Sequence, residues 1–350
     1  MNHRRKSIRI CLFFEFANFF GGAILKKIGG NGITTSYETQ RKMLDFLGIE
    51  YTEKWHNRCD ILQVNSPGFY AIHLIREVKE KGKKVIVLAH STAEDFQNSF
   101  TFSKLIPFSS VKKFLTYYYN LGDIIFCPSE YAKSLLISYG LPKNKIFIRS
   151  NGVDAIHFVP NKTARKETRK KYKMQDLTIG TTGLVISRKG VDTFLKIAKS
   201  FPEKNFFWFG KVFNPVFSNS LPRELPPNVV FTGNVAHQNI PSVLNALDIF
   251  FFPSYEETQG ISLLEAAATG LPILCRDIPA YNPWLIHKVN CLKAKNDQEF
   301  AKYLKMLIND SKLRKRLGRN AYKLAQNEDV KVLAKGLNKI YEKLLEKNSY

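Results

Sequence analysis

The sequence lacks several features that would assign it to a class at once. No run of about 18 apolar residues occurs, so we predict no membrane-spanning helix. The five cysteines form no Cys-x-x-Cys pair, and most of them lie within apolar segments. This usage favours reduced, buried thiols and a cytosolic compartment. The N-terminus is basic, but Glu15 and Asn18 interrupt the apolar stretch behind it, which predicts a buried strand at 8–14 rather than a signal peptide.

Acidic residues are scarce relative to basic ones. The chain has 53 Lys and Arg against 30 Asp and Glu, a formal net charge of +23 and a pI near 9.7. Such a balance indicates an anionic partner, and nucleic acid, anionic lipid headgroups and phosphate-bearing substrates all qualify. Neither zinc-ligand spacing nor a basic zipper accompanies the charge, so nucleic acid is the least favoured of the three.

Short apolar runs alternate with helical patterns along most of the chain. With 350 residues and 44% hydrophobic content, this predicts an α/β protein with two medium-sized domains and parallel sheets. Ligands of such sheets bind at the carboxyl ends of the strands. The predicted strands are 8–14, 60–65, 84–89, 123–130 and 145–148 in the first half, and 178–185, 206–210, 228–233, 249–252 and 272–275 in the second.

The most informative segment is Pro253 to Pro272, which follows an apolar strand. Glu257 lies in the loop, Gly260 precedes a helical pattern, and Glu265 lies eight residues after Glu257. Free backbone N–H groups at a helix start beside a glycine favour a phosphate, and the two carboxylates can accept hydrogen bonds from sugar hydroxyls. Taken alone, a Glu in the first turns of a helix is more often a solvated residue favoured by the helix dipole.

This segment resembles the E-x7-E signature of family 4 glycosyltransferases. The resemblance implies the GT-B fold, in which two Rossmann-like domains face each other across a cleft, and a nucleotide-sugar donor used with retention of anomeric configuration. One departure is present, because Thr258-Gln259-Gly260 stands where Gly-Phe-Gly is common. The donor-binding residues implied here are Glu257, Thr258, Gln259, Gly260, Ile261 and Glu265.

Four further positions resemble functional positions of that family. Gly30 and Gly32 lie in a glycine-rich turn after the first strand, which implies contact with the donor phosphates. His90 follows the third strand and would lie near the reaction centre, and Val235 lies in a loop that would line the base. By position alone, the two glycines fit ordinary turns, His90 fits a structural histidine that caps a loop, and Val235 fits an ordinary loop residue.

Arg188 and Lys189 precede a helix and resemble the family's basic turn, which implies a cationic site for the donor diphosphate. Many members place an arginine directly after the strand glycine, where this chain has Gly183-Leu184. We therefore expect Arg188 beside Lys189 to supply that charge, although an exposed Arg-Lys pair is more often simply solvated.

The domain boundary is predicted from Asn151-Gly152-Val153-Asp154, which resembles the family's interdomain link. The N-terminal acceptor domain is then 1–151, and the nucleotide-sugar-binding domain is 152–329. The apolar stripe of the last predicted helix, about 330–350, implies that it crosses back onto the first domain.

A basic and aromatic stretch at 100–119 contains no acid. Such a stretch favours an interfacial position on a membrane, although its later part fits a core helix equally well. For the early part we favour an acceptor-facing or membrane-facing loop. The candidate acceptor or membrane residues are Phe100, Phe102, Lys104, Phe108, Lys112 and Lys113.

The layout is also similar to that of the bacterial enzymes that glycosylate diacylglycerol or glucosyl-diacylglycerol. This resemblance implies transfer of a hexose from a nucleotide sugar, with UDP-sugars favoured, to one of these lipids at the cytoplasmic membrane face. His90, Glu257, Arg188 and Lys189 are the predicted catalytic residues. No Asp-x-Asp motif occurs, so we expect a cationic side-chain site with no obligatory metal and no cofactor. The main alternative is an enzyme of the same family that acts on a soluble or polysaccharide acceptor. A GT-B phosphorylase would need a pyridoxal-binding lysine, which the sequence does not identify.

Overall fold

The structure, a computed structural model, describes residues 8–15, 32–97, 99–213 and 221–346. Within these residues, twelve strands form two six-stranded sheets, and every paired strand is parallel to its neighbour. The first sheet consists of β1 (Arg9–Phe13), β2 (Glu50–Thr52), β3 (Ile61–Val64), β4 (Lys84–Leu88), β5 (Ile124–Cys127) and β6 (Ile146–Ile148). The second consists of β7 (Thr178–Thr182), β8 (Asn205–Phe209), β9 (Val229–Gly233), β10 (Ile249–Phe252), β11 (Ile273–Arg276) and β12 (Leu292–Ala294).

Helices connect the strands and cover both faces of each sheet. In the first half, the helices are α1 (Gly32–Leu47), α2 (Phe69–Glu80), α3 (Ala93–Gln97), α4 (Phe108–Asn120) and α5 (Glu130–Ser138). In the second half, they are α6 (Lys162–Lys171), α7 (Val191–Lys199), α8 (Ile240–Ala246), α9 (Ile261–Ala268), α10 (Asp297–Asn309), α11 (Ser311–Asn327) and α12 (Val330–Glu346). The predicted α/β alternation with parallel sheets is therefore confirmed.

The strand orders place a topological switch point in each sheet. The first sheet runs β2-β1-β3-β4-β5-β6, and the second runs β9-β8-β7-β10-β11-β12. Strand order therefore reverses between β1 and β3 in one sheet and between β7 and β10 in the other. Open parallel sheets bind ligands outside the carboxyl ends of the strands at such a point.

The last helix, α12, packs on the first sheet. Its buried Leu337 and Tyr341 belong to the same apolar cluster as Ile10 of β1, Ile61 of β3 and Ile86 of β4. The apolar stripe of α12, at 3.6-residue spacing, therefore packs on strands β1, β3 and β4, which lie more than 240 positions earlier in the chain. The boundaries of the two domains at 151–152 and about 330 remain predictions, since the helix and the strands fix only which elements pack together.

All five cysteines are buried and free, as predicted for reduced thiols. Two edge strands, β2 and β12, were not predicted. Each has three residues, which is too short for a period-of-two pattern to emerge from the sequence.

Candidate functional site

The second sheet's switch point positions the central motif. β7 and β10 are adjacent, and the residues after each strand meet at the shared carboxyl edge. Gly190, which has φ 77°, lies so close to the loop after β10 that a Cβ would meet the carbonyl oxygen of Pro253 at 2.3 Å. A glycine is therefore required for the basic turn to pack against the Glu257 loop.

Glu257 is buried at the centre of this edge, where it is 7% exposed. It accepts hydrogen bonds from the ammonium of Lys189 and from Ser254 Oγ at 2.7 Å, and Arg188 Nη1 lies 3.5 Å away. Burial acts to raise the pKa of Glu257, but Lys189 and Arg188 outweigh it and hold that pKa below its ordinary value. Burial lowers the pKa of Lys189, opposed by its carboxylate partner. Glu257 and Lys189 thus form a buried, charge-assisted pair.

Arg188 joins the two halves of the molecule. Its Nε donates to Ser99 Oγ at 3.0 Å and lies 2.9 Å from Asp95 Oδ1 as an ion pair, both in the first half, and its Nη1 donates to the carbonyl oxygen of Glu256 at 2.5 Å. Sequence reasoning placed Arg188 on the donor diphosphate and did not find Asp95. The only signal for Asp95 is its place after β4, at the carboxyl edge of the first sheet.

A cavity lies between the halves beside this edge. Among the residues expected to bind the donor, Gly32, Val235, Ile261 and Glu265 line it. Gly32 opens α1, and a Cβ there would stand 3.7 Å from Ile261 Cδ1, the first residue of α9. Two helix N-termini therefore meet at the cavity, and their free N–H groups and dipoles favour an anion.

Lys211, Thr182 and His237 also line the cavity, and the sequence analysis did not single them out. Lys211 directly follows Gly210 at the end of β8, and the strand-end rule that located Arg188 would also have found it. Thr182, the last residue of β7, is buried, and its Oγ1 has no hydrogen-bond partner among the described residues. His237 follows β9 and contacts Glu265.

Glu265 is 5% exposed and is held by His237. His237 Nε2 lies 2.9 Å from Glu265 Oε1, and Nδ1 lies 3.1 Å from Glu38 Oε2 on α1. Burial acts to lower the pKa of His237, but its hydrogen bonds with Glu265 and Glu38 raise it to about 10. The imidazole is therefore protonated at neutral pH and carries a positive charge at the cavity.

The bulkier Thr258-Gln259-Gly260 loop contacts the first half. Gln259 Oε1 accepts from the backbone N of Asn151 at 3.0 Å and from its Nδ2 at 2.8 Å, and the carbonyl oxygen of Thr258 accepts from Ser129 Oγ at 2.6 Å. Gly260 has φ 87°, which a side chain disfavours, and it caps α9. Thr258 and Gln259 thus hold the loop against the first half, and their contact with the donor remains a prediction.

His90 follows β4 and contacts the end of β3. Its Nε2 lies 3.4 Å from Asn65 Oδ1, and burial together with the charge of Arg149 lowers the pKa of His90 to about 3. The imidazole is therefore neutral. His90 is not among the described residues that line the cavity between the halves. Gly30 lies outside the described residues.

The basic aromatic stretch forms a short 3-10 turn, Phe102–Leu105, followed by α4. Phe100 stacks on Phe102 with ring centroids 5.4 Å apart and meets Phe213 of the second half edge-on. Lys104 and Lys113 are exposed, whereas Phe108 is half-buried against the first core. Lys112 lies over the Tyr139 ring and donates to the carbonyl oxygen of Ser138 at 3.3 Å. The later part therefore packs on the domain, and the early part carries the exposed apolar and basic groups.

Within the described ranges, no helix is long and apolar enough to cross a membrane. The same part of the chain contains no cluster of three or more His, Cys, Asp or Glu side chains suited to holding a metal ion.

Two parallel sheets whose switch points face one cleft, with a buried Glu-Lys pair and a cationic cavity between them, define a GT-B protein built for an anionic donor. Family models agree: "Glycosyltransferase Family 4" matches residues 34–156, and "Glycosyl transferases group 1" matches residues 163–324. The chain is 33% identical to the processive diacylglycerol alpha-glucosyltransferase of Acholeplasma laidlawii, over 92% of this chain and 96% of that protein. It belongs to the family 4 glycosyltransferases and is a glycosyltransferase of the GT-B fold.

Further relatives are more distant. The alpha-galactosylglucosyldiacylglycerol synthase of Streptococcus pneumoniae is 24% identical, over 73% of this chain and 71% of that protein. Among solved structures, Anabaena HepE in complex with UDP and glucose has a TM-score of 0.74 at 15% identity, with 96% of this chain and all of that chain covered. At this identity the structural match supports the fold alone.

Proposed function

We propose that the chain transfers a hexosyl group from a UDP-sugar, with retention, to diacylglycerol or a glycosyl-diacylglycerol at the cytoplasmic face of a membrane. The observation that carries the proposal is the cavity between the N-termini of α1 and α9, walled by Lys211 and Glu265, together with the buried Glu257–Lys189 pair at the carboxyl edge of the same sheet. The acceptor class is suggested by the names of the Acholeplasma and Streptococcus relatives, and the UDP donor by the ligand of HepE.

The donor diphosphate fits the cavity by charge. The backbone N–H groups of Ile261 and Ser262 open α9, Gly32 opens α1 opposite them, and Lys211 adds a cation. In glycosyl transfer the anomeric carbon–oxygen bond to the diphosphate breaks, so negative charge develops on the leaving group. Hydrogen-bond donors of the protein that are already in place before the reaction stabilise that charge without reorganising.

Glu257 and Lys189 are proposed to hold the transferred sugar. The Glu257 carboxylate has oxygens able to accept sugar hydroxyls in addition to its two present donors. Lys189 would both keep that carboxylate ionised and face the departing diphosphate. The anomeric carbon forms its new bond with the acceptor hydroxyl oxygen, and the hydroxyl proton passes to the leaving diphosphate.

His90 is proposed to contact the donor sugar from the first half. Because it is neutral, it can donate one hydrogen bond and accept another without placing charge beside the reacting carbon. Asn65 holds one ring nitrogen, which leaves the other for the substrate. We propose no obligatory metal ion, since cationic side chains and helix N-termini supply the positive charge. Addition of EDTA tests this, and a loss of turnover that Mg²⁺ restores would contradict it.

The acceptor would approach from the carboxyl edge of the first sheet. Phe69 after β3 and Leu105 after β4 are 85% and 84% exposed, and the exposed lysines at 104 and 113 lie on the second of these connections. Apolar side chains beside lysines suit an anionic lipid surface, which attracts each lysine by about 1 kcal/mol. A diacylglycerol would then reach the cleft without leaving the membrane.

The test is release of free nucleoside diphosphate from UDP- and GDP-sugars, with and without diacylglycerol or glucosyl-diacylglycerol in anionic liposomes. We expect turnover with a UDP-sugar only when the lipid is present, and its loss in Glu257→Ala. The control is Lys199→Ala, which removes an exposed cation on α7. Retention is read from the anomeric configuration of the product by NMR. Turnover with soluble acceptors alone would keep the family and discard the lipid, and GDP-sugar turnover would overturn the UDP assignment.

A further inference from the structure

One imidazole joins the two halves of the molecule at the donor cavity. His237 contacts Glu265 on α9 of the second half at 2.9 Å and Glu38 on α1 of the first half at 3.1 Å. Glu265 is buried, whereas the Glu38 side chain is 51% exposed. The Phe158 ring packs beside the imidazole, with centroids 5.7 Å apart, and restricts its orientation.

Both contacts hold only for the protonated ring. A neutral imidazole has one N–H and one acceptor nitrogen, so it can donate to one carboxylate at most. The imidazolium donates to both, and the two carboxylates in turn favour the charged form. The charged and titratable groups around it are Glu38, Arg41 and Lys42 from α1, Asp154 and His157 from the linker, Glu265 from α9, and Lys211 across the cavity.

Glu265 can still accept hydrogen bonds from a ligand while His237 is bound to it. Its Oε1 accepts from His237, and the remaining lone pairs of the carboxylate can accept the hydroxyls of a ribose in the cavity. A free glutamate in a helix has several rotamers, whereas Glu265 is fixed by a charged partner that is itself fixed by the opposite half. Fixation of Glu265 would then strengthen donor binding only when the two halves are close enough for Glu38 to contact His237.

We propose that His237 is a positioning residue which orients Glu265 toward the donor ribose and, through Glu38, couples donor affinity to closure of the cleft. This inference rests on the proposed nucleotide-sugar site. It assigns to Glu38, on the opposite half from the donor motif, a role in donor affinity without contact with the donor.

The decisive variant is Glu38→Gln. The amide keeps the size of the side chain and an acceptor oxygen but removes one of the two charges that keep His237 protonated. The imidazole then loses its proton at a lower pH, and the bridge breaks in alkaline buffer. Asp45→Asn is the matched control, because Asp45 is an exposed residue of the same helix and the substitution changes the charge equally.

Donor KM, kcat and the UDP Kd are measured from about pH 6 to pH 9. In the wild type and in Asp45→Asn we expect a constant donor KM. In Glu38→Gln we expect KM and Kd to rise by about fivefold or more toward pH 9, with kcat nearly unchanged, which is the size of a typical coupling between sites. His237→Gln should raise KM at every pH, without a pH-dependent rise, because the amide does not titrate.

A Glu38→Gln profile that follows Asp45→Asn at every pH would overturn the inference alone. A fall in kcat with no change in KM would overturn it as well, since positioning of the ribose carboxylate acts on donor binding. If the wild-type protein neither binds UDP nor releases a nucleoside diphosphate, the proposed function is wrong and the inference falls with it. Because Glu38 is exposed, its substitution should not disturb folding, and thermal unfolding of each variant checks this.

Discussion

Thr182 carries a buried hydroxyl whose Oγ1 has no hydrogen-bond partner in the part of the chain that the structure describes. It lies at the end of β7, in the wall of the cavity proposed to bind the donor. An unsatisfied buried polar group is a cost to folding, so Thr182→Val should leave the melting temperature unchanged or raise it. If the hydroxyl binds the donor, the same substitution raises donor KM by about fivefold, as loss of one hydrogen bond of about 1 kcal/mol would.

Thermal unfolding and steady-state kinetics together test this prediction. Thr181→Val is the control, because Thr181 is the buried neighbour on the same strand and does not line the cavity. A rise in KM for Thr182→Val alone would assign the hydroxyl to the donor. An unchanged KM with a higher melting temperature would mark Thr182 as a packing residue only.

The ionisation of Glu256 should make the stability of the folded protein depend on pH. Burial raises the pKa of Glu256 to about 7; a hydrogen bond with Tyr131 opposes this shift, and the charges of Asp95 and Glu94 add to it. The folded-state pKa lies above the unfolded value, so the protonated acid favours the folded state. Its contribution is complete below about pH 4 and is lost as the pH rises through about 7.

We therefore expect the wild-type melting temperature to fall between about pH 5 and pH 8 relative to that of Glu256→Gln, which cannot ionise. Differential scanning fluorimetry across that range measures the difference. Parallel profiles for the two proteins would show that Glu256 keeps an ordinary pKa in the folded state.

At the same scale, the sequence locates some site residues and not others. Glu257 and Glu265 are found because one loop and one helix set their spacing, and the comparisons confirm the family that this spacing indicates. The partnership of Glu38, His237 and Glu265 joins three segments of the chain, and no local pattern links them. Arg188 was expected on the diphosphate, but its bonds to Asp95 and Ser99 arise only when the halves meet.

At the scale of elements, the loop between β10 and α9 has a second role. Gln259 accepts two hydrogen bonds from Asn151 and donates to Ser150 Oγ at 2.7 Å. Asn151 in turn accepts from Ser36 Oγ at 2.7 Å through its side chain. The donor loop, the link between the halves and α1 are thus one buried polar network, which the departure from Gly-Phe-Gly makes possible.

Gln259→Ala removes the acceptor of two buried Asn151 donors. Leaving buried donors unpaired costs about 1–3 kcal/mol, so we expect a melting temperature several degrees lower and a higher donor KM. Gln298→Ala, on a surface helix of the second half, is the control. An unchanged melting temperature would mean that water replaces the lost contacts and that the network does not hold the loop.

Helix α6 shows that the charge pattern of a helix does not reveal which contacts its charged side chains make. α6 is rich in lysine and arginine, a composition typical of a solvated helix. In the structure Arg165 and Arg169 both pair with Asp248, and each also donates to carbonyl oxygens at the end of α8. Arg169 Nη2 donates to the carbonyl oxygen of Asp176. The pattern specifies the helix, whereas the use of its arginines depends on which helix terminus packs beside it.

At the scale of the whole molecule, three contacts between the halves join oppositely charged groups on facing elements. They are Arg188 with Asp95, His237 with Glu38, and Lys42 with Asp154. The GT-B fold could be predicted because the alternation of strands and helices is local and repeated. These charge pairs join residues far apart in the chain, so sequence spacing does not encode them.

The same arrangement directs the last prediction, which concerns the membrane. Phe69 and Leu105 follow adjacent strands β3 and β4, so parallel pairing brings both connections to one edge of the first sheet. Phe69→Ser combined with Leu105→Ser should weaken binding to anionic liposomes by about a hundredfold or more, because full burial of each exposed side chain in the membrane contributes about 1.5–3 kcal/mol to binding.

Lipid-dependent turnover should fall in parallel, while UDP affinity stays at the wild-type value because the donor cavity lies between the halves. Ile286→Ser is the matched control, as Ile286 is an exposed apolar residue of the second half. Sedimentation with vesicles of graded anionic lipid content measures the binding. Equal losses in the double variant and in Ile286→Ser would mean that the first-sheet edge has no special affinity for lipid, and that positive charge spread over both halves draws the protein to the surface.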